Sequence, residues 1–369
     1  MNPQRSIRLS ILLAVIPFCS SQSLAATWQN TVSASLTTEY DSNPTLSPTS
    51  QKGVWRGRLE PAYVLAGMSD DNELRTGVAL QIVRSSDEML SPKRNSPSVF
   101  IDWLHHIDDG EFGLSSRYAE IATRDATIEA TGPVPVTSTR ASRSVSARLS
   151  QALSARGAVA VDGAYEQFSY EGGTFIDYAA RSANLMFSYA TSENSTTFIK
   201  ASYADYQRAN SDSIIRVTSG VLGLNFEISD HLSGSIQAGK YKSSESTERG
   251  TIGEATLRYT GEQAQLSINA GRQVSPSGLG GFTTVDLANA SWSYVLSELS
   301  TTGIDLGWRR SNYTTAVTYR TSGIWLRHEL SSSWGMRLYY LRNMLDGDVI
   351  EGASSNIYGL NLAYTHTDF

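Results

Sequence analysis

The chain has 369 residues, of which 40% are hydrophobic and 18% charged, with a formal charge of −6 and a mean hydropathy of −0.25. That balance is too apolar for a disordered chain, and no segment beyond residue 25 approaches the ~18 consecutive apolar residues of a membrane-spanning helix. The acidic excess argues against nucleic acid as a partner.

At the N-terminus, Arg5 and Arg8 precede an apolar run from Leu9 to Phe18 and a small-residue site, Ser23-Leu24-Ala25. This is the grammar of a secretory signal peptide over residues 1–25, cleaved before Ala26. The run is too short to be kept as a spanning helix, which needs ~20 residues. The single Cys19 falls inside this segment, so the mature chain has no cysteine and no disulfide framework. Cleavage leaves 369 − 25 = 344 residues, and removing Arg5 and Arg8 leaves 28 basic against 36 acidic side chains, a formal −8.

From there on, acidic or Ser-rich turn clusters recur every ~30 to 45 residues. They are Met68–Asn72, Asp108–Gly110, Leu153–Gly157, Thr191–Asn194, Ser229–Ser233, Gly261–Gln263, Ser297–Ser300 and Ser331–Ser333. Between them lie pairs of segments with strict alternation, the signature of strands whose two faces meet different surroundings. Ala183, Leu185, Phe187 and Tyr189 share one parity, as do Leu222, Leu224, Phe226 and Ile228; so do Ile304, Leu306 and Trp308, and Tyr358, Leu360, Leu362 and Tyr364. Each pair surrounds a second, more variable connection: around Asp41–Lys52, Ser86–Ser96, Asp125–Thr139, Glu171–Thr174, Ala209–Ser213, Ser243–Arg249, Ser275–Gly281, Arg310–Tyr313 and Asp346–Ser354.

Eight short turns and nine longer connections predict an all-β fold, a transmembrane antiparallel up-and-down β-barrel of about 18 strands, with 16 the alternative. An even count puts both termini on the side of the short turns, the periplasm. One barrel over residues 26–369 consumes the mature chain. Aromatic residues near strand ends, Trp28, Tyr40, Trp55, Trp103, Tyr170, Tyr189, Trp292, Tyr294 and Trp334, are the expected interfacial anchors.

The parity opposite the apolar residues carries Arg56, Arg58, Glu60, Arg75, Arg117, Arg148, Asp162, Glu166, Glu254, Arg258, Asp305, Arg309 and Arg337. These are the candidate pore-lining residues, a mixed Arg and carboxylate wall suited to hydrated solutes. A wall of this kind also knits the strands together whether or not anything passes. Terminal Phe369 is the candidate assembly signal for the barrel assembly machinery, although its parity is opposite to that of Tyr358–Tyr364, which predicts a bulge or a departure from the strand.

Catalysis has little to stand on. Of five histidines, His105 and His106 adjoin Asp108 and Asp109, His231-Leu232-Ser233 has a His-x-Ser spacing, and His328 and His366 stand alone. His105, His106 and His231 fall at short turns, away from the outer rim where barrel hydrolases work. No His-Glu-x-x-His and no paired cysteines occur, so no metal or other cofactor is expected. Gly278-Leu279-Gly280-Gly281 lacks the strand and helix context of a phosphate loop and reads as a mobile external loop.

The opening Ser35-Leu36-Thr37-Thr38-Glu39-Tyr40-Asp41-Ser42-Asn43-Pro44, followed by Gly53-Val54-Trp55-Arg56 and Leu59-Glu60-Pro61-Ala62-Tyr63, resembles the start of the outer-membrane β-barrel porins associated with exopolysaccharide and capsule export systems. The resemblance implies a passive outer-membrane conduit for a polysaccharide, working beside a periplasmic polysaccharide exporter, and carries over no catalytic residue. A barrel that anchors matrix polymer without transporting it, its lumen blocked by longer loops such as Thr127–Thr139 with Gly132-Pro133-Val134-Pro135, and a general solute porin are the competing expectations.

Overall fold

The computed structural model describes residues 26–49, 52–123, 138–172, 175–209, 211–245, 249–278, 280–312, 316–347 and 350–368. The predicted signal peptide and Phe369 lie outside the described residues, as does most of the 127–139 connection.

Eighteen strands follow one another: β1 (Thr27–Asp41), β2 (Val54–Met68), β3 (Asn72–Ser85), β4 (Arg94–Ile107), β5 (Gly110–Ala122), β6 (Thr139–Ala152), β7 (Gly157–Tyr170), β8 (Tyr178–Ser192) and β9 (Ser195–Arg208), then β10 (Ile214–Ser229), β11 (Leu232–Ser243), β12 (Arg249–Thr260), β13 (Ala264–Ser277), β14 (Gly281–Ser297), β15 (Ser300–Asn312), β16 (Ala316–Glu329), β17 (Trp334–Gly347) and β18 (Ile350–Asp368). Every strand pairs antiparallel with its chain neighbours, and β1 pairs with β18 from Asn30↔Asp368 to Asp41↔Ile357, which closes the sheet into a barrel with no edge. The count is 18, not 16. Both ends of the described barrel lie at the short-turn end, since Thr27 pairs with Met68 and Asp368 with Asn30.

The turn clusters behave as their chemistry dictates. Ser154 Oγ accepts from Gly157 N at 3.0 Å, Ser331 Oγ accepts from Trp334 N at 3.2 Å, and Ser229 Oγ accepts from His231 N at 3.4 Å. A serine hydroxyl that captures a nearby N–H reverses the chain in two or three residues, which is why serine marks the beat.

The strands run longer than the ~9 to 11 residues that a bilayer crossing needs. They extend into the predicted connections, so β15 continues to Asn312 and β18 begins at Ile350. β18 pairs with β1 without a register shift as far as Asp368, so neither the bulge nor the departure expected before Phe369 occurs among the described residues. Elsewhere the ladder between β2 and β3 skips Glu60 and Pro61. Pro61 has no N–H to donate, and beside the gap Gln81 Nε2 donates to Glu60 Oε1 at 2.5 Å.

The outside of this barrel is apolar. Val32, Leu36, Leu59, Val78, Ile101, Val145, Leu185, Ile199, Leu222, Ile236, Leu306, Ile324 and Tyr358 are all exposed and all occupy the outward parity of their strands. An apolar outer face around a closed, edge-free ladder is the arrangement that satisfies a polypeptide in lipid. Trp28, Trp103, Tyr189, Trp292 and Trp334 ring its short-turn end, and Tyr40 and Trp55 pair on the opposite rim with ring centroids 5.3 Å apart. Tyr170 departs from the expected girdle: it shares the parity of Phe168 rather than that of exposed Tyr165, and so turns inward.

Candidate functional site: the charged interior and its mouth

Each strand that buries one parity in lipid turns the other into the barrel. Arg56, Arg58 and Glu60 on β2, Arg75 on β3, Arg117 on β5, Arg148 on β6, Asp162 and Glu166 on β7, Glu254 and Arg258 on β12, Asp305 and Arg309 on β15 and Arg337 on β17 all hold that inward parity. Ladder pairing sets many of them beside partners of opposite charge or amide character.

The tightest group lies where the barrel closes. Arg56 Nη2 is 2.8 Å from Asp41 Oδ2, and its Nε is 2.8 Å from Glu39 Oε1. The Nε contact is ionic rather than an aligned hydrogen bond, since that N–H lacks an acceptor of acceptable angle. Glu39 also accepts from Tyr339 Oη at 2.8 Å, and Asp41 accepts from Ser355 Oγ. Arg58 adds longer contacts to Glu39 at 3.8 Å and Glu60 at 3.9 Å. Arg56, Glu39 and Asp41 are 7%, 7% and 2% exposed, so the three charges depend on one another. Arg56 and Arg58 stand among the inward candidates of the sequence; Glu39 and Asp41 do not, although they share the parity of Ser35 and Thr37, opposite to Leu36.

Gly359 makes the link to Tyr339 possible. It sits on β18 between Tyr339 of β17 and Glu39 of β1, so the tyrosine ring lies flat across it to reach the carboxylate. A Cβ there would collide with ring carbon Cζ. Replacing Gly359 by Val is therefore expected to displace Tyr339, break its bond to Glu39 and cost about 1–3 kcal/mol by overpacking. Denaturant unfolding of the detergent-solubilised barrel checks this, and a midpoint equal to that of the wild type would contradict it.

Around the rest of the wall the pattern is looser. Arg117 Nη2 lies 3.4 Å from Asp102, Arg148 Nη2 3.9 Å from Glu111, and Arg337 Nη2 3.7 Å from Asp305, with the Arg337 guanidinium 4.7 Å above the Trp325 ring. Arg75 stands opposite Asp102 in the ladder and over Phe100 at 5.5 Å. Asp162 faces Arg148 and accepts from Asn184 Nδ2 at 2.6 Å. Glu254 accepts from Gln237 Nε2 at 2.9 Å and Asn269 Nδ2 at 2.6 Å. The ladder neighbours of Arg258 are Ser233 and Ser267, those of Glu166 are Ser144 and Ala180, and those of Arg309 are Leu287 and Tyr319. Asn184, Lys200, Ser202, Gln237, Glu254 and Gln273 line an interior recess of about 280 Å³. A larger depression of about 640 Å³, bordered by Trp55, Ile324, Leu326, Leu338 and Tyr358, lies on the lipid-facing side and is no part of the interior.

The long-connection end is narrowed from two opposite walls. On one side, residues 42–49 fold in so that Leu46 packs on Tyr319, Leu345 and Ala353, while Asn43 Nδ2 donates to Ser47 O at 2.9 Å and Ser354 O at 3.0 Å. Lys52 Nζ, 2.6 Å from Asp87 Oδ2, ties the first long connection to the second, and its hydrogen bond holds the Asp87 carboxyl below the usual carboxylate range. On the other side, Phe168, Tyr170, Tyr178, Tyr206 and Ile215 on the inner faces of β7–β10 form an aromatic cluster with Phe282 at the start of β14. Tyr206, fully buried, donates to Ser277 O at 3.1 Å, and Arg208 Nε donates to Gly280 O at 2.9 Å. Gly278 and Gly281 are buried against this wall, and Gly280 adopts φ 114°, open to glycine alone. The segment expected to be a mobile external loop is thus held inward by its backbone carbonyls.

The histidines do not assemble a reaction centre. His231 Nδ1 lies 3.0 Å from Thr260 O, His105 Nδ1 3.1 Å from Asn72 Oδ1, and His106 Nε2 3.2 Å from Glu73. His328 meets Ser300 Oγ at 2.9 Å on the outward face at the short-turn end. Among the described residues no group of three or more His, Cys, Asp or Glu could hold a metal ion.

No protein-family model and no curated protein sequence matches the chain. Solved structures do. Pseudomonas aeruginosa OccK9 (OpdG) superimposes with a TM-score of 0.53 at 11% identity, over 92% of this chain and 98% of that one. Acinetobacter baumannii OccAB4 gives 0.51 at 8% identity, over 93% and 98%, and the siderophore receptor PirA from Acinetobacter baumannii 0.51 at 7%, over 91% and 80%. At these identities the likeness is one of fold. The chain is a closed 18-strand antiparallel barrel of the outer-membrane porin type, and its apolar outer face places it in the outer membrane.

Proposed function

We propose that this protein is a passive conduit for small, hydrated, polar solutes across the outer membrane, with the short turns and both termini in the periplasm and the longer connections outside. The observation that carries the reading is the interior wall. Arg, Asp, Glu, Asn and Gln side chains alternate across an 18-strand circumference, which exceeds what wall side chains alone can fill. The infolded 42–49 segment and the Tyr178–Tyr206 cluster would act as the size filter, and the laddered Arg and carboxylate pairs below them as a transverse field that orients polar solutes.

Export of a polysaccharide is the narrower reading that the Glu39 to Tyr63 patch implies. The contacts of Glu39, Asp41, Asn43 and Arg56 are accounted for by barrel closure and by anchoring of the 42–49 segment. We therefore adopt the general conduit. Swelling of liposomes loaded with the purified barrel tests it with a series of sugars of rising size. Monosaccharides are expected to enter many times faster than into protein-free liposomes, with a steep fall by the size of a linear tetrasaccharide. Swelling no faster than in protein-free liposomes would overturn the proposal, and tetrasaccharide entry as fast as that of a monosaccharide would favour polysaccharide passage instead.

A further inference from the structure

The outward face is not the same at its two ends. Among the described residues, Lys and Arg at outward strand positions occur only in the half nearer the long connections, and the short-turn half carries none there. Some of these cations are neutralised in place, as Arg320 is by Asp346 at 2.7 Å. On β10–β12 they are not. Arg216, Lys240, Lys242 and Arg249 are all exposed, and none makes an ion pair with a described residue.

Their register makes this more pointed. Lys242 is the direct ladder partner of Arg249 and also of Thr218, two residues from Arg216, while Lys240 lies one outward position below Lys242. Like charges set directly opposite one another on a sheet repel. The carboxylate that shares this face, Asp205, is the ladder partner of Arg216 on its far side and is joined to none of the four. Glu245, in the adjoining connection, turns its carboxylate toward Gly281 and away from them. Immediately below the patch the face becomes apolar, with Leu222 and Ile236 both exposed. The four cations therefore stand at the boundary between acyl chains and headgroups, and no ion pair with a described residue neutralises them.

We propose that the outward face of β10–β12 is a docking surface for the phosphate groups of an outer-leaflet lipid, whose chains lie along Leu222 and Ile236 while its phosphates bridge Arg216, Lys242 and Arg249. Clustered basic side chains at a membrane surface bind anionic headgroups by this logic, and acyl chains on the apolar belt below confine the headgroup to the patch. The same placement identifies the long-connection end as the one in the phosphate-rich leaflet.

The test uses the full barrel in neutral detergent, mixed with bisphosphorylated lipid A and then exchanged into lipid-free detergent, with retained lipid counted by native mass spectrometry. The wild type is expected to keep the lipid, to keep the same lipid stripped of its phosphates at least tenfold less, and to be unaffected by millimolar inorganic phosphate. The quadruple variant R216Q/K240Q/K242Q/R249Q is expected to lose retention at least tenfold, while R320Q, which removes a cation already paired, keeps it. Unboiled gel mobility reports folding, and if the quadruple variant does not fold, K242Q/R249Q carries the test with a severalfold loss. Equal retention of the phosphorylated and stripped lipids, or equal retention by wild type and folded variant, would overturn the proposal. Displacement by inorganic phosphate would overturn it too, as it would make the patch a free-anion site.

Discussion

Replacement of Arg56 by Ala is expected to destabilise the barrel by about 3–5 kcal/mol, because it takes the closest cation away from Glu39 and Asp41, two buried carboxylates side by side on β1. Closed barrels migrate as compact species on gels until heated, so the loss should appear as a lower temperature for conversion to the unfolded band. Most of the loss comes from stranded charge rather than from a missing attraction. The triple variant E39Q/D41N/R56M should therefore recover much of it, and the double-mutant cycle should give strong coupling between Arg56 and the carboxylates. A conversion temperature unchanged in R56A would show that water reaches the cluster freely.

The second large effect concerns the mouth. Tyr206 is fully buried, donates to Ser277 O, and stacks on Tyr178 with ring centroids 4.7 Å apart. Removing both rings with Y178A/Y206A should release the 278–281 segment from the inner wall and widen the passage. Solute entry in the swelling assay is expected to rise severalfold, most for the larger sugars that the wild type excludes. Backbone pairing of β8 with β9 and of β9 with β10 does not depend on these rings, so the barrel should still close. An unchanged size cut-off in a folded double variant would place the narrowest point elsewhere.

Much of this fold was legible in the sequence because its physics is local. The parity of Leu222, Leu224 and Phe226 follows from pleating, and the Ser-rich beats follow from turn chemistry that needs two or three residues. The inward face followed from the same parity, which is how Arg56 through Arg337 were located. What parity cannot supply is the partner across the ladder. Glu39 and Arg56 meet because β1 and β2 adopt one register, and Tyr339 reaches Glu39 only because Gly359 lies between them, 300 residues of chain from one end of the contact to the other. The infolded segments were illegible for a related reason. Leu46 reads as a loop residue until Tyr319, Leu345 and Ala353 offer it an apolar seat, and Gly278–Gly281 reads as mobile until Arg208 and Tyr206 hold its carbonyls. Tyr170 reads as an interfacial anchor from its place near a strand end, but its parity, shared with Phe168, turns it inward.

The proposed conduit requires water and small solutes to pass through the charged interior. Single-channel recording of the purified barrel in a planar bilayer tests this most directly. The proposed conduit requires stepwise, ohmic current increments whose size scales with bulk salt conductivity and grows in Y178A/Y206A. A barrel that inserts, migrates as folded protein on an unboiled gel and yet carries no current in either form would contradict the account and leave the interior as a sealed wall.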